Sequence, residues 1–127
     1  MTNPNLGAIL WTDLTIPNAE EVRDFYQAVV GWETAPVDMA DHMDFNMLPP
    51  GSDKPAAGVC HALGVNKDMP PQWLIYVVVA SVDESAAACL RLGGRVLVGP
   101  KAMGADRLCV IQDPAGAVMA LYAQGAS

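Results

Sequence analysis

Basic residues are scarce in this sequence. Seven Lys and Arg residues stand against fourteen Asp and Glu residues, which gives a formal net charge of −7 over 127 residues. The basic residues are dispersed and form no run. Because binding to nucleic acid or to an anionic membrane surface needs a basic patch, we expect neither of these partners.

Long hydrophobic runs and paired cysteines are also absent. No stretch approaches the ~20 apolar residues that a membrane-spanning helix requires. The first residues lack a basic segment and Asp13 interrupts the apolar stretch, so we expect no signal peptide. Cys60, Cys89 and Cys109 are dispersed without CxxC spacing. This pattern is typical of reduced, buried thiols rather than of disulfides or structural zinc, and it predicts a cytoplasmic protein.

Motifs for nucleophilic catalysis and phosphate binding are missing as well. The sequence has no GxSxG motif, and neither of its two histidines has a local Ser or Cys partner in an arrangement that suggests a triad. The glycines of LGGRVLVG end a predicted helix and are not followed by GKS. The sequence therefore gives no sign of a catalytic triad or of a phosphate-binding loop.

Hydrophobic residues, by contrast, make up 52% of the chain and charged residues 17%, which predicts a packed core. Residues 6–17 predict a strand that Pro17 ends. Asn18 is a candidate N-cap for a helix that Gly31 closes. The apolar residues at helical spacing in that helix are Val22, Phe25, Tyr26 and Val29. Further strands are predicted at 32–37, 44–48 and 58–64.

The second half of the chain repeats this order. QWLIYVVVA predicts a strand, Ser81 begins a helix that ends in glycine, and RVLVGP, DRLCVIQ and AVMALYA predict three further strands. One offset of 63 residues relates the two halves at four pairs of positions, which are Ile16 and Val79, Gly31 and Gly94, Phe45 and Leu108, and Leu48 and Ile111.

An internal repeat of this kind predicts an α+β fold. We expect a single domain over 1–127 in which two βαβββ modules, about 6–64 and 72–124, lie side by side. Together they would form one curved eight-stranded mixed sheet around a cleft, with the helices outside.

Three segments and their order carry a resemblance to a known family. They are DLTIPNAEEVRDFYQAVVGW, WLIYVVVASVDESAAACLRLGGRV and DPAGAVMALY. In these features the chain resembles the vicinal oxygen chelate superfamily, which holds glyoxalase I, bleomycin-resistance proteins and extradiol ring-cleaving dioxygenases. The resemblance covers nearly the whole chain and implies the fold above, a small organic ligand and a homodimer. The DPAG turn is expected to be structural, with Asp113 accepting hydrogen bonds from its own backbone.

Catalytic members of that superfamily hold a divalent ion with His, Glu or Gln side chains. The resemblance places three of these positions at Trp11, Leu74 and Ala120, whose side chains cannot ligate such an ion. The remaining position falls on His61 or Ala62, depending on how the preceding loop is aligned. We therefore expect the usual metal site to be absent and no cofactor to be required.

Alternation along the strands predicts which side chains face the cleft. If Trp11 takes the ligand position, Asp13 and Thr15 share its face, whereas Leu14 and Ile16 face the helix. The resulting wall is mostly apolar and aromatic, which suits a small organic molecule. The predicted ligand-binding residues are Trp11, Asp13, Thr15, His61, Tyr76, Arg107 and Tyr122.

These residues also have structural alternatives. Asp13 suits a loop anchor as well as a ligand contact, and Arg107 suits an ion pair with Asp106 or Asp44. His61 suits a sheet histidine whose hydrogen bonds are satisfied. A one-residue change of register would turn His61 to the other face of the sheet.

Three functional hypotheses remain open. The first is metal-independent binding of a small molecule, as in bleomycin-resistance proteins. The alternative is a metal-dependent lyase, isomerase or dioxygenase with an atypical site built from His61, His42 and a carboxylate such as Asp13. The third is an interaction module whose cleft is filled by its own side chains.

Overall fold

The computed structural model describes residues 3–125, and its strands and helices follow the predicted order. Eight strands form one mixed sheet that does not close, and two α-helices accompany it, which confirms the α+β fold. The elements are β1 (Ile9–Ile16), α1 (Ala19–Val30), β2 (Glu33–Asp38), β3 (Met43–Leu48), β4 (Ala57–His61), a 3-10 turn (Gly64–Asn66), β5 (Leu74–Val78), α2 (Val82–Arg91), β6 (Arg95–Met103), β7 (Asp106–Gln112) and β8 (Val118–Ala123). Within 3–125, neither helix combines the length and apolarity needed to cross a membrane.

The chain divides into two compact units. The first unit is Trp11–Trp73, and the second combines the described residues up to Leu10 with those from Leu74 onward. In the first unit the strands lie in the order β2-β3-β4-β1, and in the second in the order β5-β8-β7-β6. Each unit joins its first and last strands in parallel and its other strands antiparallel. The βαβββ repeat is therefore present in both the order and the pairing of the strands.

The core of the first unit lies between α1 and the sheet. Leu14 and Ile16 of β1 are buried there, as alternation predicts. Val22 and Tyr26 of α1 pack against this cluster. The remaining buried members are Ala19, Phe45, Met47 and Val59.

The exposed side of α1 differs from the prediction. Phe25 and Val29 share the apolar spacing of this helix but are 56% and 64% exposed. Val22 and Tyr26 form one row at i, i+4 that covers the sheet, and Phe25 and Val29 form the adjacent row that faces solvent. Only the first row is therefore part of the core.

The two helices begin differently. The Ser81 hydroxyl accepts a hydrogen bond from the Glu84 N–H at 3.1 Å, which is the predicted N-cap. Asn18 occupies the predicted N-cap position of α1, but its side chain caps no helix N–H, and its amide instead donates to Glu21 Oε1 at 3.3 Å. Gly31 ends α1 in the left-handed conformation, with φ 84°.

The single offset of 63 residues between the two halves is also wrong in detail. Glu33 pairs with Leu48 at the start of the β2–β3 ladder, as Arg95 pairs with Gln112 in the β6–β7 ladder. The offset is thus 62 in the second strand of each module and 64 in the third. Two irregularities in β6, between Val96 and Lys101, supply the additional residues.

This shift changes which residues of the two halves are equivalent. By ladder register, the counterpart of Phe45 is Cys109 rather than Leu108. The core clusters agree, because Phe45 lies in the cluster that α1 covers and Cys109 lies with Val82 and Ala86 of α2. Leu108 therefore lies on the opposite face of its strand from Cys109, the counterpart of Phe45.

The DPAG turn is structural, as predicted. Asp113 Oδ1 accepts hydrogen bonds from the N–H groups of Ala115 at 2.8 Å and Ala117 at 3.0 Å. Gly116 adopts φ 94°, which favours glycine. The turn thus positions β8 and leaves Asp113 engaged with its own backbone.

Candidate functional site

Three of the predicted ligand residues lie on the face of β1 that points away from the α1 core. The Trp11 indole N–H donates to Asp13 Oδ2 at 3.2 Å, and Thr15 is buried. Gly58 of β4 lies directly beneath this pair, since an added Cβ would meet Trp11 Cζ2 at 3.1 Å and Asp13 Cβ at 3.2 Å. Trp11 and Asp13 are thus packed together over a glycine, and their role in ligand binding stays a prediction.

Cys60 lies near the same face and is chemically unreactive. Burial, followed by the charges of Asp13 and Asp44, raises the pKa of the Cys60 thiol well above its ordinary value. The thiol therefore stays protonated at neutral pH. A raised thiol pKa disfavours attack by Cys60 on a substrate.

The predicted residues of the second unit have partners within that unit. Arg107 donates from Nε and Nη2 to the carboxylate of Asp83, at 3.1 and 2.9 Å, so neither Asp106 nor Asp44 is its partner. The Tyr122 hydroxyl donates to Asp106 Oδ2 at 2.9 Å. Burial and the bond to Asp106 raise the pKa of Tyr122. Tyr76 is buried at 7% exposure.

The family's usual metal does not fit the donor set at the positions to which the resemblance assigns it. The Trp11 indole nitrogen carries a proton that it donates to Asp13. Leu74 and Ala120 are 1% and 0% exposed and have no side-chain donor atom. No step of any reaction can be derived through an ion at these positions.

His61 faces α1. It shares its side of β4 with Val59 of the core, and its ring centroid is 6.1 Å from that of Phe45. Its Nε2 lies 3.2 Å from Glu20 Oε1 on α1. His61 is therefore separated from Trp11 and Asp13, which lie on the other face of the sheet.

The two histidines of the chain converge on one carboxylate, and we call His42, Asp44 and His61 the histidine cluster. His42 Nε2 lies 3.3 Å from Asp44 Oδ1, and His61 Nδ1 lies 3.4 Å from the same oxygen. The two imidazole rings are in edge-to-face contact, with centroids 5.4 Å apart. Sequence reasoning named both histidines but expected Asp13 as the carboxylate, whereas the structure supplies Asp44.

An aromatic pocket opens beside α1 on the same face. It has a cavity volume of about 350 Å³. The aromatic pocket is lined by Thr12, Tyr26, Val30, Trp32, Ala56, Ala57 and Trp73. All these residues belong to the first unit.

Three aromatic rings fix the shape of the aromatic pocket. The Trp73 indole N–H donates to the Tyr26 hydroxyl at 3.0 Å, and the two ring planes are nearly perpendicular. Trp32 lies edge-to-face with Trp73 at 5.9 Å between centroids. Ala56 and Ala57 are too small to fill the space that the rings enclose. The rings give a mostly apolar wall, to which Tyr26 and Thr12 add hydroxyl groups.

The sequence held a signal for the aromatic pocket that the face analysis missed. The chain has only eight aromatic residues, and Phe25, Tyr26, Trp32 and Trp73 are four of them. Tyr26 and Trp32 belong to the FY…GW segment that supports the family resemblance. Trp73 directly precedes β5, and its distance along the chain from the other rings conceals the contact.

The comparisons with known proteins agree with this fold. A family model for the glyoxalase-like domain matches residues 11–122. The chain therefore belongs to the glyoxalase-like domain family, in agreement with the resemblance that its sequence shows.

Two curated relatives are similar over most of this chain. A Mycobacterium tuberculosis protein provisionally named glyoxylase CFP32 is 27% identical over 116 residues, which are 91% of this chain and 43% of that protein. The anthracycline biosynthesis protein DnrV of Streptomyces peucetius is 28% identical over 137 residues, and the match covers 98% of this chain and 50% of that protein. The chain thus spans about half the length of the curated relatives it matches.

Two solved structures show the same fold. Methylmalonyl-CoA epimerase from Mycobacterium tuberculosis has a TM-score of 0.51 at 16% identity, with 99% of this chain and 94% of that chain covered. A variant of the Streptomyces coelicolor methylmalonyl-CoA epimerase, in complex with 2-nitronate-propionyl-CoA, has a TM-score of 0.50 at 21% identity, with 95% and 99% covered. At these identities the likeness concerns the fold alone.

Proposed function

We propose that this protein binds a small, flat organic molecule in the aromatic pocket. The observation that carries the proposal is the cluster of Tyr26, Trp32 and Trp73 around a cavity of about 350 Å³. Ligand sites are mostly apolar concavities of about 300–1,000 Å³ with few polar groups. The pocket thus has room for a ligand of a few fused rings.

The walls of the pocket favour a planar, electron-poor or cationic ring system. Indole and phenol rings bind such ligands by stacking or edge contacts, and they lose little conformational entropy because neighbouring rings hold them. The Tyr26 hydroxyl accepts the Trp73 N–H and keeps its own proton to donate to a ligand carbonyl or hydroxyl oxygen. One directional bond and two aromatic walls would fix the orientation of the ligand.

Two relatives are consistent with an organic ligand of this kind. The name of DnrV places that protein in the biosynthesis of anthracyclines, which are planar fused-ring compounds. The Streptomyces coelicolor epimerase structure holds a CoA derivative. The shared fold is compatible with organic ligands, and the aromatic composition of this pocket favours a ring system.

The proposal is tested by calorimetric titration with an anthracycline, doxorubicin, on the wild-type chain and on two tryptophan variants. Trp73→Leu removes one wall of the pocket and should weaken binding at least about tenfold, since a lost aromatic contact is worth about 1.4 kcal/mol. Trp11→Leu is the matched control, because Trp11 lies outside the pocket and should leave affinity unchanged.

The opposite pattern of affinities in the two variants would place the ligand at a different site. Weaker binding in Trp11→Leu with unchanged affinity in Trp73→Leu would place the ligand at the residues predicted from the sequence, around Trp11 and Asp13. Equal affinity in all three proteins, or no binding of doxorubicin and other fused-ring compounds, would contradict the aromatic pocket as a ligand site.

A metal-dependent lyase, isomerase or dioxygenase is the second candidate. Such an enzyme needs an ion that polarises vicinal oxygens of the substrate. Among residues 3–125, the histidine cluster is the one group of His, Cys, Asp and Glu side chains whose atoms lie close enough to hold such an ion. This observation keeps the second function open and makes metal content the measurement that separates it from the first.

A further inference from the structure

We propose that the histidine cluster binds a divalent first-row transition ion. The ligands would be His42 Nε2, a carboxylate oxygen of Asp44 and His61 Nδ1. A fourth coordination position would remain open to solvent. This site is separate from the aromatic pocket. It includes His61, one of the two residues on which the fourth ligand position of the family can fall, but none of Trp11, Leu74 and Ala120.

The distances within the cluster match a tetrahedral site. Bonds of about 2.0–2.2 Å to zinc from His and carboxylate place neighbouring ligand atoms about 3.4 Å apart at the tetrahedral angle. The separations of Asp44 Oδ1 from His42 Nε2 and from His61 Nδ1 are 3.3 and 3.4 Å. All three ligand atoms lie within 4.8 Å of one another. An ion therefore fits with only small rotations of the rings.

The outer nitrogen of each imidazole ring, meaning the one that does not face Asp44, also lies near a carboxylate. His42 Nδ1 lies 2.6 Å from Asp41 Oδ1, and His61 Nε2 lies 3.2 Å from Glu20 Oε1. Metal-binding histidines commonly donate their outer N–H to a carboxylate, which fixes the tautomer and makes the inner nitrogen a better ligand. Both histidines of this chain have that arrangement, with the inner nitrogens directed at Asp44.

The charge and exposure of the cluster suit a cation that remains accessible. Asp41, Asp44 and Glu20 surround two imidazoles, so the site is anionic when the rings are neutral. The side chains of Asp44, His61 and His42 are 8%, 12% and 20% exposed. The site is thus shielded from bulk water and still open at the fourth position.

The donor types select the class of ion. Two imidazole nitrogens and one carboxylate suit Zn²⁺, Fe²⁺ or Co²⁺, whereas Mg²⁺ and Ca²⁺ prefer sites made of oxygen atoms. The His61 backbone N–H donates to Asp44 Oδ1 at 2.8 Å and holds the carboxylate between the rings.

The turn before β3 carries backbone strain that directs His42 into the cluster. Ala40 adopts φ 76°, a left-handed conformation that is unfavourable for a residue with a Cβ. Asp38 Oδ1 accepts the Ala40 N–H at 2.8 Å, and the Met39 N–H donates to the His42 carbonyl at 2.9 Å. Strain of this kind persists where the surroundings enforce it, and here it positions Asp41 and His42.

The test uses the full, tag-free chain after removal of metal with a chelator. Calorimetric titration with Zn²⁺ should show one saturable site, Co²⁺ should give the absorption of a tetrahedral complex, and Zn²⁺ should raise the melting temperature. Asp41→Asn should weaken Zn²⁺ binding about 10–100-fold through the outer hydrogen bond. His42→Ala and His61→Ala should weaken it further, since each removes a ligand.

Two matched controls isolate the cluster. Asp53→Asn removes one exposed carboxylate from a loop of the same unit, and Cys89→Ser removes a thiol of the second unit. Both should bind Zn²⁺ like the wild type. Far-UV circular dichroism and the melting temperature of each metal-free variant establish that the variant is folded before its affinity is compared.

Several outcomes would contradict the proposal of a metal site at the histidine cluster. These are the absence of saturable binding, a Zn²⁺ affinity that His42→Ala leaves unchanged, or a loss of binding in Asp53→Asn. Trp73→Leu should bind Zn²⁺ normally, so failure of the metal site and failure of the aromatic pocket give different results.

Discussion

Gly94 has no room for a side chain. It lies between α2 and β6, where an added Cβ would be 2.5 Å from Cys89 Sγ and 2.8 Å from the backbone oxygen of Gln112. We expect Gly94→Ala to lower the free energy of unfolding by about 1–3 kcal/mol, because the backbone oxygen cannot move aside without shifting β7. Urea denaturation of both proteins measures the difference.

A double variant separates the two contacts of Gly94. Cys89→Ala removes the sulfur but leaves the Gln112 oxygen, so it should recover only part of the loss in a Gly94→Ala background. Full recovery would mean that the backbone contact is unimportant, and a neutral Gly94→Ala would contradict the prediction.

The predictions for single residues were correct where strand alternation alone decides which face of the sheet a side chain lies on. Leu14 and Ile16 are buried toward α1 as predicted, because a strand with a period of two has just two faces. The face of His61 could not be predicted, since it depends on the length and path of the 49–56 loop that fixes the register of β4. Asp44 was considered only as a partner of Arg107, because its distance from both histidines is set by the pairing of β3 and β4.

At the scale of elements, the two helices differ in how they begin. Ser81 caps α2 through its hydroxyl, whereas Asn18 occupies the equivalent position before α1 without a side-chain cap. We expect Ser81→Ala to cost about 1 kcal/mol and Asn18→Ala to cost distinctly less. Chemical denaturation measures both, and an equal cost at the two positions would refute the assignment.

The strands also show where the repeat departs from a constant offset. The offset changes from 62 in the second strand to 64 in the third, because β6 contains two extra residues, so 63 is only the mean of the two values. The sequence RVLVGPKAM does not reveal these extra residues. Apolar residues occur on both faces of β6 and β7, so a shift of one residue still aligns apolar with apolar. The order of elements was therefore predictable, and the residue correspondence in the third strand was not.

At the scale of the whole molecule, the homodimer remains a prediction from the family resemblance. Leu90 and Leu92, at the end of α2, are 61% and 71% exposed, which is consistent with an apolar contact to a second copy. Sedimentation equilibrium should give twice the 13.4 kDa of the chain. The dimer should persist in high salt, because apolar contacts are not screened.

A mass of 13.4 kDa across the micromolar range would contradict the dimer. Leu92→Glu tests the region directly, since a charge within a buried apolar contact should dissociate the pair. A dimer that survives this change would use another surface.

The two copies of the repeat, aligned by their ladders, differ at the histidine cluster. The counterpart of Asp44 is Leu108, and the counterpart of His61 is Ala123. Both copies have the same strand order and pairing, so the scaffold does not depend on the cluster. A symmetric protein built from two copies of the second module would therefore keep this scaffold and lack the cluster.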